Sequence, residues 1–179
     1  MNKVIGITGQ SGSGKSTLVG IIRENYPCSV VDVNWVMHRE ARRLGYARLS
    51  DFMGAIGAAN VFRLFAPEVM RRIRRGYASS NVIVDGLYDV HLAEDIRKAY
   101  GKDSHIINLK ASERTRECTI ALRNNSSLGG GALEAERRDA VKRQAGMDRV
   151  TAMADLTISN DGGIADLRRE ALRVLRRVQ

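Results

Sequence analysis

The chain has 179 residues, 44% of them hydrophobic and 27% charged, which suits one globular domain with a single core and excludes a large second domain. No apolar run approaches the length of a membrane span and the N-terminus enters a strand directly, so neither a membrane segment nor a signal peptide is expected, and the cytoplasm is the expected location. A net charge of +9 fits polyanionic partners, either nucleic acid or the polyphosphate of a nucleotide.

Lys3 to Thr17, KVIGITGQSGSGKST, contains an apolar strand (Val4, Ile5, Ile7), a glycine-rich turn from Gly9 to Gly14, and a helix opening at Lys15. Gly9, Gly14, Lys15 and Ser16 satisfy GxxxxGK followed by Ser or Thr, in the strand, turn and helix setting that a phosphate loop needs. Glycines 9, 12 and 14 permit positive φ and close approach. The amide groups from Ser11 and Ser13 through Thr17 can then converge on phosphate oxygens at the positive end of a helix. Lys15 reaches the β- and γ-phosphates, and the Ser16 hydroxyl can ligate the bridging magnesium.

After the first helix, with its apolar side of Leu18, Val19, Ile21 and Ile22, Cys28 to Val33 is a short buried strand. Its carboxyl end carries Asp32, and ligands of open α/β sheets bind beyond that end, so Asp32 faces the crevice or caps the next helix. Asn34 to Leu44 is predicted helical and carries His38, a packing or site residue. Tyr46 to Ala66 is expected to fold as helices over the crevice, and Pro67 to open a further helix ending in Arg71 to Arg75. Residues 34–80 would make an acceptor-binding subdomain.

Asn81 to Asp85 is a β-branched strand ending in a carboxylate before Gly86, placed to hold a metal through water or to orient an acceptor. A helix from Asp89 to Tyr100, a strand from Ser104 to Leu109 and a helix from Ala111 to Arg123 follow. Asn124 to Leu133 (NNSSLGGGAL) is polar and glycine-rich, with Arg123 before it and Arg137, Arg138, Lys142 and Arg143 after it. A lid over 123–138, with cations for a transferring phosphoryl group, fits this pattern; a plain linker is the alternative. Asp155 to Ser159 is a fifth strand, Asn160 to Gly162 its turn, and an arginine-rich amphipathic helix starts at Gly163. Cys28 and Cys118 have no metal-ligand spacing and are expected to be reduced.

Five strands alternating with helices behind a phosphate loop predict an α/β fold, a five-stranded parallel sheet with helices on both faces. VIGITGQSGSGKST, VVDVNWVMHRE, NVIVDG and RRDAVKRQAGMDRVTAMADLTISNDG together resemble the dephospho-CoA kinases and the related P-loop nucleoside monophosphate kinases, archaeal adenylate-kinase-related proteins included. The resemblance implies a P-loop kinase with a lid, using ATP and Mg2+ on a small nucleotide-like acceptor, the ribose 3′-hydroxyl of dephospho-CoA in coenzyme A biosynthesis. It makes Asp32 the general base, sets His38, Asp85 and Gly86 at the acceptor, and brings Arg123, Asn160 and Gly162 to the adenine. Lys15, Arg123 and Arg138 would act on the phosphates, with Ser16 and Asp85 at the metal. The chain departs from the pattern at Asn34, at Ala66-Pro67, and at Leu87-Tyr88, where adenylate kinases have Pro-Arg. A nucleoside monophosphate acceptor is the rival within this class. A nucleic-acid-associated module is the rival outside it, and the scarcity of aromatic residues among the basic clusters counts against that module.

Overall fold

The computed structural model describes residues 1–124 and 128–178, and the side chains outside 124–131. Five strands, β1 (Val4–Thr8), β2 (Cys28–Asp32), β3 (Asn81–Asp85), β4 (Ser104–Lys110) and β5 (Leu156–Ser159), form one parallel sheet in the order β2-β3-β1-β4-β5. The order reverses about β1. After β1 the chain crosses to the β2 edge, and after β3 it crosses to β4 on the other side. The phosphate loop therefore leaves the sheet at the switch point, where such sheets bind ligands. Asp32 is in register with Asp85, and Asp85 with Ile7, so both carboxylates reach the same end of the sheet as the loop.

Alternate side chains of β1 to β4 enter two cores, and β5 contributes to one of them. Val4, Val82, Val84 and Ile106 pack beneath α2 (Val33–Arg43), α3 (Leu49–Ile56), α4 (Ala58–Tyr77), α5 (Val90–Tyr100) and α8 (Met147–Ala152). Ile5, Ile7, Ile83, Ile107, Leu109 and Ile158 pack beneath α1 (Lys15–Asn25) and α9 (Ile164–Val178). Both faces are covered, which is why the strands are nearly continuous apolar runs. Both cysteines are free, and no helix among the described residues is long and apolar enough to cross a membrane.

Two expectations need correction. Pro67 does not open a helix; it lies inside α4, which begins at Ala58. A proline in a helix interior costs about 3 kcal/mol. The apolar stripe of Val61, Phe62, Phe65, Ala66, Val69, Met70 and Ile73, all buried, runs straight across it, and burying several such side chains at about 1.5–3 kcal/mol each outweighs that cost. The glycine-rich run, expected as open chain to Leu133, is helical from Leu128. There α7 (Leu128–Ala145) follows α6 (Glu113–Asn124), and the two pack together. Glycine costs about 1 kcal/mol in a helix, but the far half of α7 is anchored by buried Ala135, Asp139 and Ala145. The remaining part of the lid expectation, residues 125–127, lies outside the described residues.

Candidate functional site

Gly9, Gly12 and Gly14 all have positive φ. A Cβ at Gly9 would meet the Leu109 carbonyl and one at Gly12 the Arg116 carbonyl, both backbone atoms, whereas Gly14 faces a side chain. At φ 93° a Cβ would be strained, and it would collide with the side-chain amide of Asn160, which donates to the Ser13 carbonyl at 2.9 Å. Asn160 thus buttresses the back of the loop. Asp161 ties the same turn to the start of α6 by accepting from the Ser112 amide at 2.6 Å and the Thr115 hydroxyl at 3.0 Å. Neither Asn160 nor Gly162 lines the main cleft.

The Lys15 ammonium lies within the loop, donating to the carbonyls of Gly9 at 2.8 Å and Gln10 at 2.6 Å. Burial, reinforced by Lys142, lowers its pKa to about 7 although Asp85 pulls the other way. Among the described residues no carboxylate pairs with Lys15 directly. A buried cation without a counter-anion, among convergent amides, fits a polyphosphate.

In front of the loop is a cleft of about 790 Å³. Loop residues Ser11, Gly12, Gly14, Lys15 and Ser16 form one wall; Asp32, Asp85 and Gly86 form the floor. Met37, His38, Arg48, Met53 and Phe62 from α2, its following loop, α3 and α4 form the far wall. Asp32 caps α2 and faces the cleft at once. Its Oδ1 accepts from the Trp35 amide at 2.9 Å, which leaves Oδ2 for a ligand. Burial, and then the Asp32 charge, push the Asp85 carboxyl above its usual range. Two carboxylates in one cleft repel, and a hard cation would relieve this. The Ser16 hydroxyl and Asp85 are oxygen donors of the type Mg2+ prefers. Among the described residues no three His, Cys, Asp or Glu side chains gather into a metal site made by protein alone. A divalent ion here would need phosphate and water to complete its shell.

Arg123 and Arg138 stand on the exposed side of the cleft, and Arg138 donates to Glu134 at 2.7 Å. The cations that reach the loop are instead Arg116, which donates to the Ser11 carbonyl at 3.3 Å, and Lys142. Its Nζ lies 2.6 Å from the Ser11 hydroxyl and 3.1 Å from Asp139, whose side chain is 1% exposed. Asp139 also accepts from the Ser11 amide at 2.7 Å and from Arg116 at 2.9 Å. Burial pushes the Asp139 carboxyl up, but Lys142 and the Ser11 amide outweigh it and hold it below the usual range. The Tyr88 ring lies under both cations, with Lys142 4.8 Å and Lys15 5.8 Å from its centre. Asp139 carries no motif signal in the sequence, and Tyr88 stands out there only in the Leu87-Tyr88 departure from the adenylate-kinase pattern.

A family model described as AAA domain matches residues 8–127. The chain is 26% identical over 97% of its length to a UPF0200/UPF0201 protein of Archaeoglobus fulgidus, and spans 55% of that relative. It is 28% identical to a UPF0200 protein of Saccharolobus islandicus, covering 98% of this chain and 94% of the relative. A UPF0200 protein of Methanothrix thermoacetophila is 29% identical, with 97% and 96% covered. Among solved structures, TT1252 from Thermus thermophilus superposes with a TM-score of 0.66 at 20% identity, covering 99% of this chain and 98% of that one. Shikimate kinase from Acinetobacter baumannii, in complex with shikimate, gives 0.58 at 16%, covering 99% and 93%. The two structural likenesses speak to the fold, a parallel α/β sheet of the P-loop kinase type.

Proposed function

This chain belongs to the AAA domain family, a P-loop kinase-like family, and from that premise we propose an ATP- and Mg2+-dependent kinase acting on a hydroxyl of a small nucleotide-like acceptor, with the ribose 3′-hydroxyl of dephospho-CoA as the leading candidate. The observation that carries the reading is the two-sided cleft, with a phosphate loop on one wall, helices of the 34–80 segment on the other, and two carboxylates between. Its volume falls in the upper part of the range of about 300–1,000 Å³ for ligand pockets.

ATP would supply the phosphoryl group, and the Ser16 hydroxyl and the Asp85 carboxylate would hold a Mg2+ ion whose charge would offset that of the transferring phosphates. The free Oδ2 of Asp32 takes the proton of the acceptor hydroxyl. Lys15 holds the donor phosphates, and Lys142, oriented by Asp139, adds a second cation beside the loop. Arg123 and Arg138, on the segment read as a lid over 123–138, would close over the same phosphates and exclude water. His38 and Gly86 would touch the acceptor, and Asn160 and Gly162 would hold the loop from behind, close to the adenine.

Arg48 on the far wall favours a second acceptor, a nucleoside or deoxynucleoside monophosphate, because a guanidinium there matches a monophosphate. ADP release measured over dephospho-CoA, AMP, CMP, UMP, the deoxynucleoside monophosphates and no acceptor separates the two. Turnover with dephospho-CoA above all others is expected. Turnover with a nucleoside monophosphate alone transfers the assignment to the second acceptor.

A further inference from the structure

Trp35, the single tryptophan of the chain, stands on the first turn of α2 and is 51% exposed. Its neighbours give that exposure meaning. The guanidinium carbons of Arg39, on α2, and Arg72, on α4, lie 5.5 and 5.1 Å from the ring centre, within cation–π reach. Two grooves meet at this ring. One, of about 640 Å³, is walled by Arg39, Arg42 and Arg43 and opens into the main cleft at Asp32, Asn34 and His38. The other, of about 620 Å³, follows the edge strand β2 from Ser29 to Asp32 under Arg71, Arg72 and Arg75.

Six arginines thus surround one half-exposed indole, and a base stacking on it would take the place of the Arg39 or Arg72 guanidinium. Glu40 is shared between Arg39 and Arg43, and Glu68 between Arg71 and Arg72, whose hydrogen bonds hold its carboxyl at about 2. Glu40 and Glu68 each serve two guanidiniums and Asp32, on the groove walls, is the third carboxylate, so six arginines against three carboxylates leave the patch positive. Arg42 and Arg75 have no carboxylate within salt-bridge distance among the described residues. Cations alone would suit any polyanion. A half-open indole between long basic grooves suits one whose units also carry a flat π-face, because single strands are bound by a phosphate-tracking groove together with an aromatic on which a base stacks.

We infer that the Trp35 face is a binding site for single-stranded nucleic acid, with a base stacked on Trp35 and adjoining phosphates on Arg39, Arg42, Arg72 and Arg75. The inference is independent of the kinase reading. The linear sequence hides the site because α4 supplies half of its cations.

Trp35 is its own reporter. The wild-type protein is titrated with oligo(U) and oligo(dT) twelve-mers while tryptophan emission is followed, and the preferred sugar is read from the two arms. We expect saturable quenching. With about three phosphates neutralised, affinity falls about twentyfold between 50 and 200 mM salt, from a slope of about 0.7 per contact on a single strand. Trp35→Ala, followed by anisotropy of a labelled strand, weakens binding about tenfold or more, and Trp35→Phe recovers part of the loss, since base stacking on an aromatic is of that order. Arg42→Ala and Arg75→Ala, which break no ion pair, each flatten the salt slope.

Unchanged emission at saturating strand, or Trp35→Ala binding as tightly as wild type, overturns the inference. So does equal quenching by inorganic polyphosphate, which would mark a general anion surface. Quenching by AMP or dephospho-CoA at lower concentrations than by the oligonucleotides also overturns it, because the groove would then be an extension of the cleft.

Discussion

At the scale of single residues, Lys15 carries a pH signature. Its folded pKa of about 7 lies below the ordinary 10.5 because burial penalises the ammonium. Between those values the unfolded chain holds the proton and the folded chain does not, so this group's contribution to stability rises with pH across that window and is a net cost below it. A bound polyphosphate restores the counter-charge and raises the pKa again. Metal-free ATP binding at pH 8 should therefore take up about one proton, and at pH 6 almost none from this group. Calorimetry in two buffers of different ionisation enthalpy measures the uptake; none at pH 8 would contradict the assignment of Lys15 to the phosphates. Lys15, Ser16, Asp32 and Asp85 were legible in the sequence because each follows an apolar strand at a position the parallel sheet fixes. Asp139 was not, since it meets Ser11 across 128 residues and sits among arginines that look like ordinary surface charge.

Among the elements, α7 shows how a charged side chain can set the position of a helix. Asp139 anchors it to the phosphate loop through Ser11 and to α6 through Arg116, and Val141 and Ala145 continue the attachment into the core. Removing one partner from a buried pair costs about 3–5 kcal/mol, and the lower end applies because Arg116 and Lys142 keep some access to water. Asp139→Ala should lower Tm by roughly 6–12 °C at about 2–4 °C per kcal/mol, and weaken ATP binding through the freed Ser11 amide. Thermal unfolding with and without ATP checks both, and an unshifted Tm would show that α7 is held by its apolar side alone. The periodicity of α7 gave little warning of this, because three glycines in its first turns look like open chain. Pro67 misled in the opposite way. A proline signals a helix start only where tertiary burial does not carry the helix through it, and the far side of α4 is buried along its length.

For the whole molecule, the sheet was the most legible feature. Burial on both faces makes the central strands nearly continuous apolar runs, and the helices between strands force a parallel arrangement. The strand order and the meeting of α2 with α4 at Trp35 depend on packing that no local pattern encodes. Charge is divided accordingly. On α9 three of the five arginines have a carboxylate each, Arg168 with Glu24, Arg169 with Asp166 and Arg173 with Glu170, whereas around Trp35 Glu40 and Glu68 are each shared between two. What the fold brings together is a phosphate loop, a pair of carboxylates and, across a cleft of about 790 Å³, a facing wall from α2, α3 and α4. The most direct test of that arrangement is transfer of the labelled γ-phosphoryl group from ATP to the best acceptor of the panel, by wild type and Asp32→Asn, with ATP affinity measured on both. With Asp32 as general base, ATP affinity stays nearly unchanged and turnover falls by about a hundredfold or more; equal turnover in the two proteins would contradict that role.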